Sequence, residues 1–278
     1  MFAVRGLTEE TGTSVQAAHA GRWPKSALII GHPGHELRVL GWVRAVKPLV
    51  AILTDGSGAD GVPRIGQTTR LLDGALARRS AVYGVATDRE MYRAILEQDL
   101  DYFVALAGRL ADELCEHQIE WVAGDAIEGY NPTHDVCSVL IDRAVRLASA
   151  RMGIDIQHRA FPLVGAPRTG PPAVDREYLQ LATCELALKL ADIRSYARSA
   201  GGALVTEVDE LLQRFGEKAF SEEAFERVDV AGALAAFEEE RPFYETYGEQ
   251  QVAAGTYRFV IRYREHFEPI VRALSSGA

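Results

Sequence analysis

Three histidines stand out in this chain by their type and spacing. His32 and His35 flank a Pro-Gly pair in Gly31-His32-Pro33-Gly34-His35-Glu36, directly after the apolar run Ala27-Leu28-Ile29-Ile30. His134 follows far downstream, in Gly129-Tyr130-Asn131-Pro132-Thr133-His134-Asp135. Neutral imidazole is a good zinc ligand. Two near ligands joined by a distant one is a common way to build an open catalytic metal site that keeps a position for water. The other reading of the hexapeptide is a pair of polar loop histidines with no metal. Gly34 permits a tight turn or the close approach of a ligand, and a helix starting nearby would offer its first amides to an anion.

These residues need a frame, and the surrounding pattern supplies one. Short apolar runs alternate with helical periodicity, which predicts an α/β fold with a mostly parallel, Rossmann-like sheet flanked by helices. Strands are expected at Ala27–Ile30, Leu49–Leu53, Ala81–Val85 and Trp121–Gly124, and residues 154–164 look extended. Helices are expected over 35–46, 68–79, 96–115 and 134–150, the first stopped by Pro48, which cannot continue a helix. Both histidine motifs then follow strands, where open α/β sheets collect their ligands.

The Gly- and Pro-rich stretch 165–172 reads as a linker. Beyond it the pattern is helical over 175–200, 205–215, 221–227 and 230–240, while 255–274 starts as helix or strand. The expected organisation is an α/β metal-binding core over 1–165 and a mainly helical C-terminal extension over 166–278, packed on the core. Residues 1–24 are mixed and polar and are expected to lie over the core surface.

Composition narrows the class. With 278 residues, 47% of them hydrophobic and 25% charged, the chain reads as globular. Its net charge of −9 argues against a sequence-independent nucleic-acid binder, because neutralising phosphates needs clustered Lys and Arg. The three cysteines, Cys115, Cys137 and Cys184, are scattered without a CxxC pair, so neither a disulfide framework nor a thiolate zinc site is expected. The start lacks the pattern of a signal peptide, and no apolar run approaches the ~20 residues that span a bilayer. The expectation is a cytoplasmic protein with a small-molecule substrate and neither nucleic acid nor membrane as partner; homo-oligomerisation is left open.

The order strand, Gly-His-Pro-Gly-His-Glu, helix, strand, Thr54-Asp55-Gly56, loop, and later Asn131-Pro132-Thr133-His134 resembles the PIG-L/LmbE-like family of zinc-dependent N-deacetylases. That family carries Ala-His-Pro-Asp-Asp-Glu after its first strand and His-Pro-Asp-His before a later helix. The resemblance covers residues 25–165; the segment from Lys189 to Tyr196 faintly resembles a further family helix. It implies a site for Zn2+ or another divalent metal. His32 matches the first ligand, His35 stands where the family has an aspartate ligand, and His134 matches the last histidine. The implied activity is hydrolysis of an N-acetyl group on a sugar or related small metabolite, possession of a catalytically divergent or inactive metal site being the alternative. Gly34 stands at the family's general-base position, and a glycine cannot take a proton from water. Asn131 stands where the family has a second histidine, and its amide can still donate to an oxyanion.

The proton would then fall to another carboxylate. Glu36 is one candidate, its other reading being a carboxylate that satisfies the start of the helix. Asp55 is a second, its other reading being the turn residue of an Asp-Gly pair. Asp125, Glu128 and Asp135 surround the third histidine, and any of them could orient an imidazole. Arg64 could grip a carboxylate, phosphate or sugar hydroxyls, or be a solvated loop residue. Tyr130 offers a stacking face for a sugar, or packs in the core. The aromatic cluster over 243–247 and 257–267 reads as packing, with a lid or oligomer contact as the other reading. His19, His117, His158 and His266 read as structural or surface residues.

Overall fold

A computed structural model describes residues 23–58, 60–166, 176–201 and 203–276. The expectation for the N-terminal stretch, the centre of the linker and His19 lie outside the described residues. Ala27-Leu28-Ile29-Ile30 forms the middle of β1 (Ser26–Ile30) because an apolar run with buried residues on both faces suits a central parallel strand. It lies between β2 (Leu49–Thr54) and β4 (Trp121–Asp125), both parallel to it. Next to them lie β3 (Arg78–Ala86) and β5 (Gln157–Phe161), again parallel. Two antiparallel strands complete the sheet, β6 (Arg176–Gln180) and β7 (Glu222–Arg227), giving the order β3-β2-β1-β4-β5-β7-β6.

Alternating side chains of β1 feed two cores, as a period of two requires. Ala27 and Ile29 join the core under α3 (Asp88–Leu96), α4 (Leu100–Glu116), α5 (Pro132–Met152) and α10 (Glu268–Ser275). Leu28 and Ile30 face the opposite core, under α1 (Leu40–Val46), α2 (Ile65–Ala75) and α6 (Thr183–Ala200). The chain also forms α7 (Ala203–Phe215), α8 (Val230–Glu239) and α9 (Phe243–Ala253). Gly124 lets α5 come close to the sheet, since a Cβ there would collide with Ile141 Cδ1 and stand 2.9 Å from Ile29 O. Among the described residues, no helix is long and apolar enough to cross a membrane.

The C-terminal part departs from the expected pattern in three places, one of them at 255–262, which was expected to start as helix or strand and is neither. Residues 176–180 and 221–227 were expected to be helical, yet the first is β6 and the second is mostly β7. Phe225 is drawn inward by Trp42 and Trp121, at ring distances of 5.3 and 5.2 Å. The helix expected from 175 begins at Thr183.

His158 on β5 has both ring nitrogens buried without a partner, and burial pushes its pKa down to about 3. It is therefore neutral when folded, whereas the unfolded chain takes up its proton near the ordinary value. This contribution to stability is present above the unfolded pKa and is lost as pH falls toward the folded one. Acidification from pH 7 to pH 5 is expected to cost about 2 kcal/mol through this residue. Urea unfolding at both pH values should show that difference shrinking in His158→Phe; an unchanged pH dependence would assign the loss to other groups.

Candidate metal centre

β2 and β3 lie on one side of β1, and β4 lies on the other, so strand order reverses between β1 and β4. The carboxyl end of that junction is the crevice in which open α/β sheets bind ligands. His32 and His35 follow β1 there, and His134 enters from the first turn of α5, after β4. Asn131 caps α5 by accepting from Thr133 N at 2.8 Å, and Pro132 occupies the first turn, where its missing N–H costs nothing. His134 is thereby held in the opening turn of a rigid helix.

The three rings meet edge to face. Their centres lie 5.4 Å apart for His32 and His35, 5.2 Å for His32 and His134, and 4.5 Å for His35 and His134. Imidazoles bound through nitrogen to one tetrahedral ion, at metal–nitrogen distances near 2 Å, place their ring centres about 5 Å apart. The three ring centres have spacings of that size. Among the described residues, however, no group of three or more His, Cys, Asp and Glu side chains is placed so that it could hold a metal ion.

Hydrogen bonds fix the donor state of two rings. His32 Nδ1 lies 2.8 Å from Thr54 Oγ1 and 2.9 Å from Asp88 Oδ1. Thr54 donates its own hydroxyl proton to Gly31 O, so it accepts from the ring. With two acceptors around it, Nδ1 carries the proton and Nε2 keeps its lone pair; that Nε2 is buried without a partner. His35 Nδ1 lies 3.0 Å from both oxygens of Asp125, whose Oδ2 also accepts from Gly31 N. The same logic leaves His35 Nε2 as the lone-pair nitrogen. His134 Nδ1 is buried without a partner as well. An orphaned lone pair on a buried imidazole is chemistry that a cation satisfies.

Burial and charge keep His35 and His134 neutral. Burial, then the neighbouring His32, hold His35 well below the ordinary histidine pKa; burial, then His35, do the same for His134. Burial raises Asp125 to about 7 against the pull of the Gly31 amide. Burial also opposes ionisation of Asp88, but its hydrogen bonds, first from His32 and then from the Gly58 amide, outweigh it and hold the carboxyl well below the carboxylate range. Carboxylates behind ligating imidazoles are the usual means of fixing tautomer and orientation.

The remaining carboxylates are placed differently. Glu36 is fully buried and both its oxygens are engaged, Oε2 by Gly34 N at 2.7 Å and Oε1 by Thr68 Oγ1 at 2.7 Å. Burial raises it to about 6. Thr68 also meets the hydroxyl of Tyr196 at 3.0 Å, and Tyr196 lies under Gly34. Asp55 accepts from Ser57 N through Oδ1. The following Gly56 abuts Pro33 and the Arg64 side chain, which puts the 55–64 loop beside the histidine motif. Arg64 Nε is buried without a partner. Glu128 does not touch a histidine; it accepts from the amides of Leu163, Val164 and Gly165. Asp135 accepts from Glu128 N and Gly129 N. Tyr130 is half-exposed and stacks on Phe243.

Asp88 was not among the candidates. Its signal was present: an acidic residue in the opening turn of a helix, beyond a strand, within the capping sequence Thr87-Asp88-Arg89-Glu90. Tyr92, one turn along the same helix, was also missed; its phenol is raised by burial and by Tyr257 while a hydrogen bond with Asn131 opposes the shift. A separate cleft of about 730 Å³ opens at the other end of the strands, lined by Lys25, Glu120, Asp155 and Gln157, and has no histidine.

No protein-family model matches the sequence, and no curated protein matches it. Solved structures of similar course include a deacetylase triple mutant, Orf2*T, of the teicoplanin biosynthetic pathway, with TM-score 0.49 and 14% identity over 74% of this chain and 99% of that one. The A40926 pseudoaglycone deacetylase Dbv21 gives 0.46 and 16%, over 73% and 96%. The conserved protein TT1542 from Thermus thermophilus gives 0.47 and 17%, over 74% and 94%.

Proposed function

We propose that this chain is a metal-dependent amide hydrolase of the PIG-L/LmbE-like type, an N-deacetylase acting on an N-acetylated sugar or related small metabolite. The observation that carries this reading is the meeting of His32, His35 and His134 at the strand-order reversal, with a buried unpartnered ring nitrogen on His32 and on His134 and with Asp88 and Asp125 behind His32 and His35. These three histidines would hold Zn2+ or another divalent ion. Such an ion, when bound, supplies Lewis acidity that polarises an amide carbonyl and makes water easier to deprotonate.

The chain's own residues do the rest. Asn131 has its Oδ1 committed to the helix cap and one N–H of its amide turned to the Tyr92 phenol, which leaves the second N–H to donate toward an amide oxygen as charge develops there. Proton transfer falls to Asp55, since Glu36 has both oxygens tied to Gly34 and Thr68 and supports the loop that carries His35. Arg64, with its unpartnered Nε, and Tyr130 contact the substrate.

A second reading, a metal-binding protein without hydrolysis, is favoured by Gly34 and by the full engagement of Glu36. Two experiments separate them. Metal-loaded protein is assayed for amine release from N-acetylglucosamine and its simple glycosides, with His134→Ala as control; release lost in the control supports the deacetylase, and no release from any substrate favours the second reading. Gly34→Asp then probes the base position. The Cβ meets only ordinary contacts, 3.5 Å from Tyr196, but φ of 109° is left-handed, so the variant is expected to lose about 1–2 kcal/mol of stability. Thermal unfolding measures this, and an undiminished midpoint would show that the turn relaxes.

A further inference from the structure

A row of aromatic side chains leads away from the third histidine. Tyr130 stacks on Phe243 with ring centres 5.1 Å apart and planes 4° apart. Phe243 stacks on Tyr247 at 5.8 Å, and Tyr247 meets the edge of Tyr257 at 6.3 Å. All four are 41–49% exposed. Phe243 and Tyr247 are four residues apart on α9, which is the spacing that puts two side chains on one helix face.

The row is continuous with the site. Tyr130 directly precedes Asn131, and the start of α9 is fixed to the same loop because Tyr244 N donates to Gly129 O at 3.1 Å. Phe237 and Pro242 pack against Gly129. At the far end, Tyr257 acts on Tyr92, which in turn meets Asn131. The C-terminal helices thus bring a wall of rings to the mouth of the crevice instead of burying them.

Contiguous exposed rings signal a binding surface, and their chemistry narrows what fits. Three of the four carry a phenol, so each adds a polar edge to the exposed part of its ring. Glu207 and Glu210 are exposed, form no ion pair among the described residues, and act on the Tyr130 hydroxyl. On another side of α9, Arg241 and Arg262 each pair with Glu249. Four half-covered rings between charged borders fall well short of the roughly 800 Å² per partner that a stable protein interface buries. A pyranose does fit: its C–H face stacks on the rings while its hydroxyls donate to carboxylates and exchange hydrogen bonds with phenols.

We infer that Tyr130, Phe243, Tyr247 and Tyr257 form an accessory sugar subsite, which takes a second pyranose linked to the unit whose amide lies at the histidines. The inference rests on the deacetylase reading for the position of that amide. It makes the substrate an oligosaccharide or glycoside larger than one amino sugar.

Isothermal titration calorimetry of the full chain with N-acetylglucosamine and its β-1,4-linked dimer tests this, with acetate release followed in parallel. The dimer is expected to bind about tenfold more tightly than the monomer. Phe243→Ala and Tyr247→Ala should each lose that gain, while Tyr178→Ala, an exposed aromatic on β6, should keep it. A dimer that binds no better than the monomer, a gain that survives both variants, or no binding of either sugar overturns the subsite. A length gain without acetate release upholds the subsite and removes the hydrolysis. Acetate release without a length gain does the reverse.

Discussion

Protein purified without chelator or histidine tag is expected to hold about one equivalent of divalent metal per chain and to lose it in both His32→Ala and His134→Ala. Elemental analysis of the three proteins reads this directly. The expectation follows from three rings spaced 4.5–5.4 Å apart, two of which, His32 and His134, have an unpartnered nitrogen inside the fold. Asp88→Ala and Asp125→Ala should weaken metal affinity by about 10–100-fold without abolishing it, because these carboxylates orient His32 and His35 and are not ligands. Metal at a thousand times its dissociation constant adds about 4 kcal/mol to the folded state. Chelator should therefore lower the unfolding temperature of the parent protein and leave His32→Ala unmoved. If the parent takes up no zinc on titration, or if both histidine variants bind it equally well, the metal centre is wrong and the proposed hydrolysis goes with it.

The second large effect concerns a buried ion pair that links the C-terminal part to the site. Lys189 on α6 is fully buried and its Nζ donates to Glu223 Oε1 at 2.7 Å, to Arg38 O at 2.7 Å and to Phe220 O at 3.3 Å. Glu223 on β7 in turn accepts from Gly41 N and Trp42 N at the start of α1. Burial, with smaller contributions from Arg38 and Arg44, lowers the Lys189 pKa, and Glu223 is what opposes that shift. Lys189→Met strands the carboxylate, and breaking such a pair typically costs about 3–5 kcal/mol. Adding Glu223→Gln removes the stranded charge while keeping an acceptor for the two amides, so the double variant should recover a good part of the loss. Urea titrations of the three variants test this. A loss under about 1 kcal/mol for Lys189→Met would mean that the carboxylate finds water or a proton.

Much of the α/β framework was legible because buried parallel strands are short apolar runs that need no partner to be recognised. Ala27–Ile30, Leu49–Leu53 and Trp121–Gly124 each lie within an observed strand, and the helix stopped before Pro48 ends at Val46. β7 was not legible. Its sequence, Glu-Glu-Ala-Phe-Glu-Arg, reads as a solvated helix turn. It is a strand because its charges find partners elsewhere: Glu223 pairs with Lys189, and Glu226 with Arg176 of β6. Phe225 is fully buried beside three tryptophans. The same limit applies at the site. Gly34 and Glu36 are near neighbours and Thr68 lies 32 positions beyond Glu36, and no pattern shows Glu36 bonded to both of the others.

By itself the sequence determined which residue types could do chemistry and that strands would deliver them to helix starts, because local spacing and hydrophobic period carry that information. Only the tertiary structure decided what stands behind and around them. Asp88 reaches His32 across 56 positions, Asp125 reaches His35 across 90, and the rings of α9 reach Tyr130 from the far end of the chain. Such pairings depend on strand order and on how closely helices approach the sheet, and no local periodicity encodes a partner that the fold brings from elsewhere.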